Sequence, residues 1–300
     1  MFDFASKLIS FTPVVLNQNL AFGSGTFDRT PEPTSEMEGN DSVQQYVRGA
    51  KETQLFLTYA MALKHIYQIG QDYSKKSALD VACGTGHFTM ELARFFPFSQ
   101  VTGIDISEPM VKRAQADPAK SPSVKFEIGD ALKLDKHQDN SFFVSTFNQA
   151  AHHLSINEVE SVFAQLDRIT SPEGLILSTD LVRLKNATTT KRYVDLVSSD
   201  YAERKLAAFA NDFENSMYAA WSLKELADTI PTSRKRKWFQ ISPRLLPTTQ
   251  IIVGIPHSQN QIYRKRGTPW KKTDGYIPKH LKAEWTLFTN SLTCGRVSEI

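Results

Sequence analysis

LDVACGTGHFT, residues 79–89, is the stretch on which the reading of this chain turns. A short apolar run breaks on a turn of small residues, and an amphipathic stretch follows. Gly84 and Gly86 allow a sharp bend and a close approach of backbone to whatever lies above it. The first turn of a following helix would aim its free N–H groups at the same place. Taken alone, such a turn suits a phosphate, a dinucleotide or another ligand that needs bare backbone.

Working outward, short apolar runs alternate with amphipathic segments. Strands are expected at 78–82, 101–104, 124–128, 142–147 and 175–179. Helices are expected at 87–96, 108–116 and 155–169, the last opened by Ser155 and Glu158 as a capping box. Alternating strands and helices imply right-handed crossovers and a parallel sheet covered on both faces. In such sheets ligands sit beyond the carboxyl ends of the strands. Asp105 ends the second strand in VTGIDIS, 21 residues after Gly84, where a carboxylate can accept both hydroxyls of a ribose. That much fits either of two adenosine ligands. A dinucleotide turn wants a third small residue where Thr89 stands. Asp80 beneath the turn would repel a pyrophosphate but suits an ammonium or sulfonium. Asp130, in FEIGDAL, closes the third strand and can accept from an adenine amino group, with the Ala131 N–H beside it for a ring nitrogen.

These segments resemble the class I S-adenosylmethionine-dependent methyltransferases of the small-molecule type. LDVACGTG is similar to the family's glycine motif, with Ala82 where many members have a further glycine. GIDIS with PMVKRA is similar to the acidic ribose motif, and GDAL to the adenine motif. DNSFFVSTFNQAAHHL and EGLILSTD resemble the fourth and fifth strands, though Phe143 replaces a usual Asp. The resemblance implies an α/β, Rossmann-like, doubly wound sheet of seven mostly parallel strands with the last antiparallel. Segments 238–241 and 249–255 would be its final strands. It implies S-adenosyl-L-methionine as cofactor. Gly84 and Gly86 would lie against its methionine portion, Asp105 on the ribose, Ile106 flanking the adenine, and Asp130 and Ala131 at the adenine edge. Asn148 would face the cofactor through its backbone, and Arg48 is a loose match to a basic residue for the carboxylate.

Around this domain, 42–255, the chain adds three things. Residues 1–41 read as an N-terminal arm and linker, and 42–70 as a helical cover with a stop at Gly70. Residues 181–230 read as a helical lid insert rich in Tyr193, Tyr201, Phe209, Phe213, Tyr218 and Trp221, suited to a planar or apolar acceptor. Residues 256–300 form a C-terminal extension that starts basic. The segment 8–16 faintly resembles a signal peptide, but Asp3 and Pro13 weaken this, and an arm packed on the body is preferred.

Methyl transfer needs alignment and exclusion of water, and a base only when the acceptor must lose a proton. His153, then His152, are the candidates, since imidazole can accept a proton near neutral pH. The competing reading is structural. As adjacent residues with no third His or Cys at ligand spacing they predict no metal. Cys83 reads as packing within the turn.

The balance of 35 basic and 32 acidic residues gives +3, too mild to imply nucleic acid. Basic residues 234–237, Arg244 and the 264–272 cluster leave RNA or protein methylation as an alternative, with a solvated loop favoured. An inactive cofactor-binding scaffold is the other alternative. Two cysteines point to a reducing, cytoplasmic setting, and no apolar run approaches the ~18 residues of a membrane span. The acceptor expected is a small organic molecule.

Overall fold

The computed structural model describes residues 4–20, 27–33, 40–117, 119–244, 246–263, 275–293 and 296–300. The basic cluster at 264–272 and Cys294 lie outside the described residues. The centre is one sheet of β1 (Ser77–Val81), β2 (Gln100–Asp105), β3 (Val124–Ile128), β4 (Phe142–Asn148), β5 (Thr170–Leu181), β6 (Arg236–Ser242), β7 (Thr249–Pro256) and β8 (Arg296–Glu299). Their spatial order is β3-β2-β1-β4-β5-β7-β6-β8. The chain winds outward from β1 through β2 to β3, then crosses back to β4, so the switch in strand order falls between β1 and β4. β1 to β5 are parallel, and β7 runs antiparallel to both β5 and β6.

The expected seven strands become eight. β8 pairs antiparallel with β6 at the sheet edge, Ile241 opposite Val297. Its four residues are all exposed, so no hydrophobic alternation announces it. An edge strand's free N–H and C=O groups are what recruit it. β5 also starts earlier than the turn SPEG suggests. It follows directly from the preceding helix, and its register against β4 shifts between Phe142 and Val144.

Alternate residues of the strands face opposite layers. Ile251, Val253 and Ile255 of β7 join one core with α3 (Gln54–Ile69) and α4 (His87–Phe95). Ile252 joins the other, with α6 (Ile156–Ile169) and α9 (Leu223–Asp228). α5 (Glu108–Gln115) covers β3 through Val111 and Ala114 on Val124 and Phe126. α6 and α9 both begin with a capping box, Ser155 with Glu158 and Ser222 with Glu225.

The cover expected as one helix is two, α2 (Asn40–Glu52) and α3. Thr53 breaks them: its backbone is extended and its hydroxyl accepts the Leu55 N–H. α3 ends at Gly70 with φ 72°, the left-handed conformation glycine adopts without cost. The lid consists of α7 (Ala187–Glu203), α8 (Ala207–Ala219) and α9. The N-terminal helix α1 (Phe4–Leu20) lies on it, with Val14 buried among Tyr193, Val194 and Val197. In the C-terminal extension, Ile277 and Leu281 pack with Trp285 of α10 (Lys282–Thr293) on Phe56 and Leu57 of α3. Among the described residues, no helix is long and apolar enough to cross a membrane.

Candidate active site

The glycine turn leaves β1 at the switch point. Ala82, Gly84 and Gly86 take φ of 54°, 52° and 78°, so three left-handed residues lie within five positions. Ala82 holds a conformation that costs an L-residue roughly 1–2 kcal/mol, which explains why glycine suits this place. Gly86 is closed in: a Cβ there would meet the Phe126 ring at 2.3 Å. Gly84 is open, with only Tyr46 as near as 3.9 Å to its missing Cβ.

Asp105 crosses from β2 to brace this turn. Its Oδ2 accepts the Gly84 N–H at 2.7 Å and its Oδ1 the Ser107 N–H at 2.9 Å. Each carboxylate oxygen keeps a further lone pair for a hydroxyl donor. Ile106 follows with 73% of its surface exposed, an apolar wall with nothing of the protein upon it. Asp130, after β3, holds the Leu132 N–H at 2.9 Å and lies 3.5 Å from Lys133.

Gly84, Asp105, Ile106, Asp130 and Ala131 line one cavity of about 980 Å³, at the upper end of the size of small-molecule sites. The other expected cofactor residues lie around it rather than on it. Asp80 is buried, accepting from Thr89 at 2.6 Å and Thr146 at 2.7 Å. Burial pushes its carboxyl up to about 6, against the pull of those two hydroxyls. It shapes the turn and its field without facing the cavity. Gly86 is packed on Phe126. Asn148 accepts from Thr179 at 3.0 Å, and its neighbours Phe147 and Gln149 line the cavity. Arg48 is directed away: it contacts Glu52 at 3.3 Å and donates to the Arg204 carbonyl at 3.0 Å. It sits on the outer side of α2, where exposure suits a guanidinium. Cys83 is tucked under the turn, and burial raises its thiol pKa well above the usual value.

The cavity's far half is the lid. Tyr193, Tyr201, Phe209 and Phe213 line it, with Leu196, Val197 and Leu246. Tyr201 stacks edge-on to Phe209 and Phe213 at 5.2 and 5.6 Å. Tyr218 and Trp221 lie elsewhere. The Trp221 indole donates to the Ala151 carbonyl at 3.0 Å, steadying the turn that carries the histidines.

That turn, Ala151–His153, puts both imidazoles on the cavity wall between the halves. His152 is buried; its Nδ1 lies 2.5 Å from Asp180 Oδ1, and its backbone N–H donates to Asp180 Oδ2 at 3.0 Å. Burial would lower its pKa, yet the carboxylates of Asp180 and Glu32 raise it to about 9. His153 is part-exposed, its Nδ1 2.5 Å from Glu32 Oε2. Glu32, Arg29, Asp180 and Gln149 were not among the residues the sequence singles out. Glu32 lies in a linker with no periodicity to mark it. Gln149 has a φ of 53° and a buried Nε2 without a hydrogen-bond partner, neither visible in sequence. Glu32, His152 and His153 present ligand atoms all within 4.8 Å of one another, so the fold supplies the third ligand type that spacing did not.

The basic segment 234–237 is largely structural. Arg236 is fully buried on Asp167, at 2.5 Å. Lys235 donates to the Asp167 and Arg168 carbonyls and to Asn140.

Residues 78–174 match a family described as methyltransferase domain. The chain is 33% identical over 109 residues to a demethylmenaquinone methyltransferase of Desulfitobacterium hafniense, an alignment covering 35% of this chain and 42% of that protein. It is 34% identical over 101 residues to one of Staphylococcus aureus, covering 33% and 41%. The chain thus spans about two fifths of the length of these relatives. In fold it is similar to the plantazolicin methyltransferase BpumL, solved in complex with SAH. There the TM-score is 0.56 at 16% identity over 84% of this chain and 99% of that one. The glycine turn and its two acidic strand tips, Asp105 and Asp130, all lie within residues 78–174, the segment that matches the methyltransferase domain family.

Proposed function

We propose that the protein transfers a methyl group from S-adenosyl-L-methionine to a small organic acceptor with a substantial apolar surface. The observation that carries this reading is the continuity of one cavity, from the Asp105 and Asp130 tips past the histidine turn to the aromatic lid. The residues fit the cofactor: Gly84 leaves a space a Cβ would fill, Asp105 has lone pairs to spare, and Ile106 offers a bare apolar wall. Asp105 would hold the ribose hydroxyls, Ile106 would flank the adenine, Asp130 would accept from its amino group, and the Ala131 N–H would donate to a ring nitrogen at the same edge. When bound, the cofactor supplies a sulfonium methyl that leaves by in-line displacement, with a neutral thioether as leaving group.

The chain's own work is alignment, exclusion of water and movement of a proton. The lid aromatics enclose the acceptor's body. His153 faces the cavity beside the cofactor half and accepts the acceptor's proton. His152, held charged beside Asp180, is unsuited to that task at neutral pH and instead supports negative charge at the boundary of the two halves. The curated relatives are named for methylation of demethylmenaquinone, a small-molecule acceptor, which agrees with this class. An RNA acceptor would want the 234–237 cations free for phosphates, and Arg236 and Lys235 are engaged within the protein.

The test is incubation with cofactor labelled in its methyl group and a cell extract, followed by separation into metabolite, RNA and protein fractions. Label in an organic-extractable metabolite is expected. Label confined to RNA or protein would overturn the acceptor class, and no transfer despite cofactor binding would favour a scaffold.

A further inference from the structure

Residues 27–33 run as a strap along the histidine turn and the end of α8, before the family-matched segment in sequence. Arg29 anchors it. Its guanidinium stacks 4.1 Å from the Trp221 ring centroid and donates to the Ala219 and His152 carbonyls at 2.6 Å and to Leu154 at 3.0 Å. The Thr30 N–H donates to the Tyr218 carbonyl at 3.1 Å. The strap therefore ties the end of α8 to the histidine turn, and three residues after Arg29 it delivers Glu32.

The Glu32 side chain is only 7% exposed. Its Oε2 is 2.5 Å from His153 Nδ1, and its Oε1 faces His152 Nε2 at 3.8 Å with no hydrogen-bond partner. A carboxylate has only lone pairs to offer, so the imidazole nitrogen against it must carry the proton. We propose that Glu32 is a positioning residue that fixes His153 as its Nδ1–H tautomer, leaving the Nε2 lone pair for the acceptor's proton. This rests on the methyl-transfer reading for its purpose, but not for its test. The logic is that of a base whose far nitrogen is oriented by a carboxylate. The buried charge is tolerated because His152 stands beside it: burial opposes ionisation, yet His153 and His152 bring the Glu32 carboxyl down to about 2. Each histidine thus has its own carboxylate, Asp180 for His152 and Glu32 for His153, and both lie outside the matched residues 78–174.

The test uses the full chain with ¹⁵N-labelled histidine at neutral pH, read by NMR of the ring nitrogens. In the native protein His153 is expected to show a protonated Nδ1 and an unprotonated Nε2. Glu32→Leu, which removes the acceptor at similar volume, should abolish that preference while S-adenosylhomocysteine affinity changes less than about twofold. Should Glu32→Leu fail to fold, Glu32→Gln serves, with the tautomer preference reduced. An unchanged His153 tautomer in a folded variant overturns the proposal. So does stoichiometric binding of Zn²⁺ alone that perturbs both imidazoles and is lost in the variant, because Glu32 would then be a metal ligand. Loss of S-adenosylhomocysteine binding by the native protein would instead strike the functional reading and leave the tautomer result standing.

Discussion

The glycine turn and the helical lid face each other across one cavity, yet they are built differently. The turn is rigid by construction: three left-handed residues, a packed Phe126 beneath, and an Asp105 carboxylate whose two oxygens each hold a backbone N–H. Where the lid faces the cavity, it does so through ring-on-ring contacts among Tyr193, Tyr201, Phe209 and Phe213. A ligand with a constant structure is met by fixed backbone and charge. An acceptor is met by apolar surface whose shape can change through side chains alone. The lesson is that affinity for the cofactor should depend on a few polar atoms, and choice of acceptor on many apolar ones.

The largest effect expected from this contrast is at Asp105. Asp105→Ala removes a hydrogen bond to a charged group, worth about 1.5–3 kcal/mol, so calorimetry should show S-adenosylhomocysteine binding weakened by about 10- to 150-fold. Phe213→Ala should leave that affinity within about twofold while reducing acceptor turnover. Equal losses from both variants would erase the distinction between the halves.

The glycine turn and the histidine boundary should also titrate apart. Asp80, raised to about 6 by burial, gives a contribution to stability that is full below its unfolded value near ~4 and is lost as pH rises through about 6. His152, raised to about 9, gives one that is full below its unfolded value near ~6.5 and is lost as pH rises through about 9. Melting curves against pH should therefore fall in two separate windows, and Asp80→Asn should remove only the lower. A single step spanning both would sink this assignment.

The smallest effect concerns Ala82. Ala82→Gly relieves a left-handed alanine and should raise stability by about 1 kcal/mol without altering the acceptor half. A loss of stability by denaturant melting would mean the methyl group packs better than its backbone strain costs.

The same contrast governs what could be read from sequence. Asp105 and Asp130 are legible because each sits at the end of an apolar run, and strand period and turn chemistry are local. The capping box at Ser155 is legible for the same reason. Glu32 is not, since it meets His153 only through the tertiary path of the strap. Thr53 is missed because the apolar spacing of α2 runs on into α3, and only the cap marks the break. β8 is missed because its side chains are all exposed and pairing alone defines it. Arg236 reads as part of a solvated charge run, and only the fold brings Asp167 to it. The lid could be recognised as aromatic and helical, but which rings face the cavity depends on packing with α1 and α2.

The central claim is that the Asp105 and Asp130 tips hold the adenosyl group of S-adenosyl-L-methionine, with the attached sulfur beside Gly84. A crystal structure of the protein soaked with S-adenosylhomocysteine tests it most directly. The account predicts ribose hydroxyls on the Asp105 carboxylate, adenine against Ile106 with its amino group toward Asp130, and the thioether within the cavity facing His153. Adenosine bound elsewhere, or a cleft that excludes it while the crystals remain intact, would contradict the account.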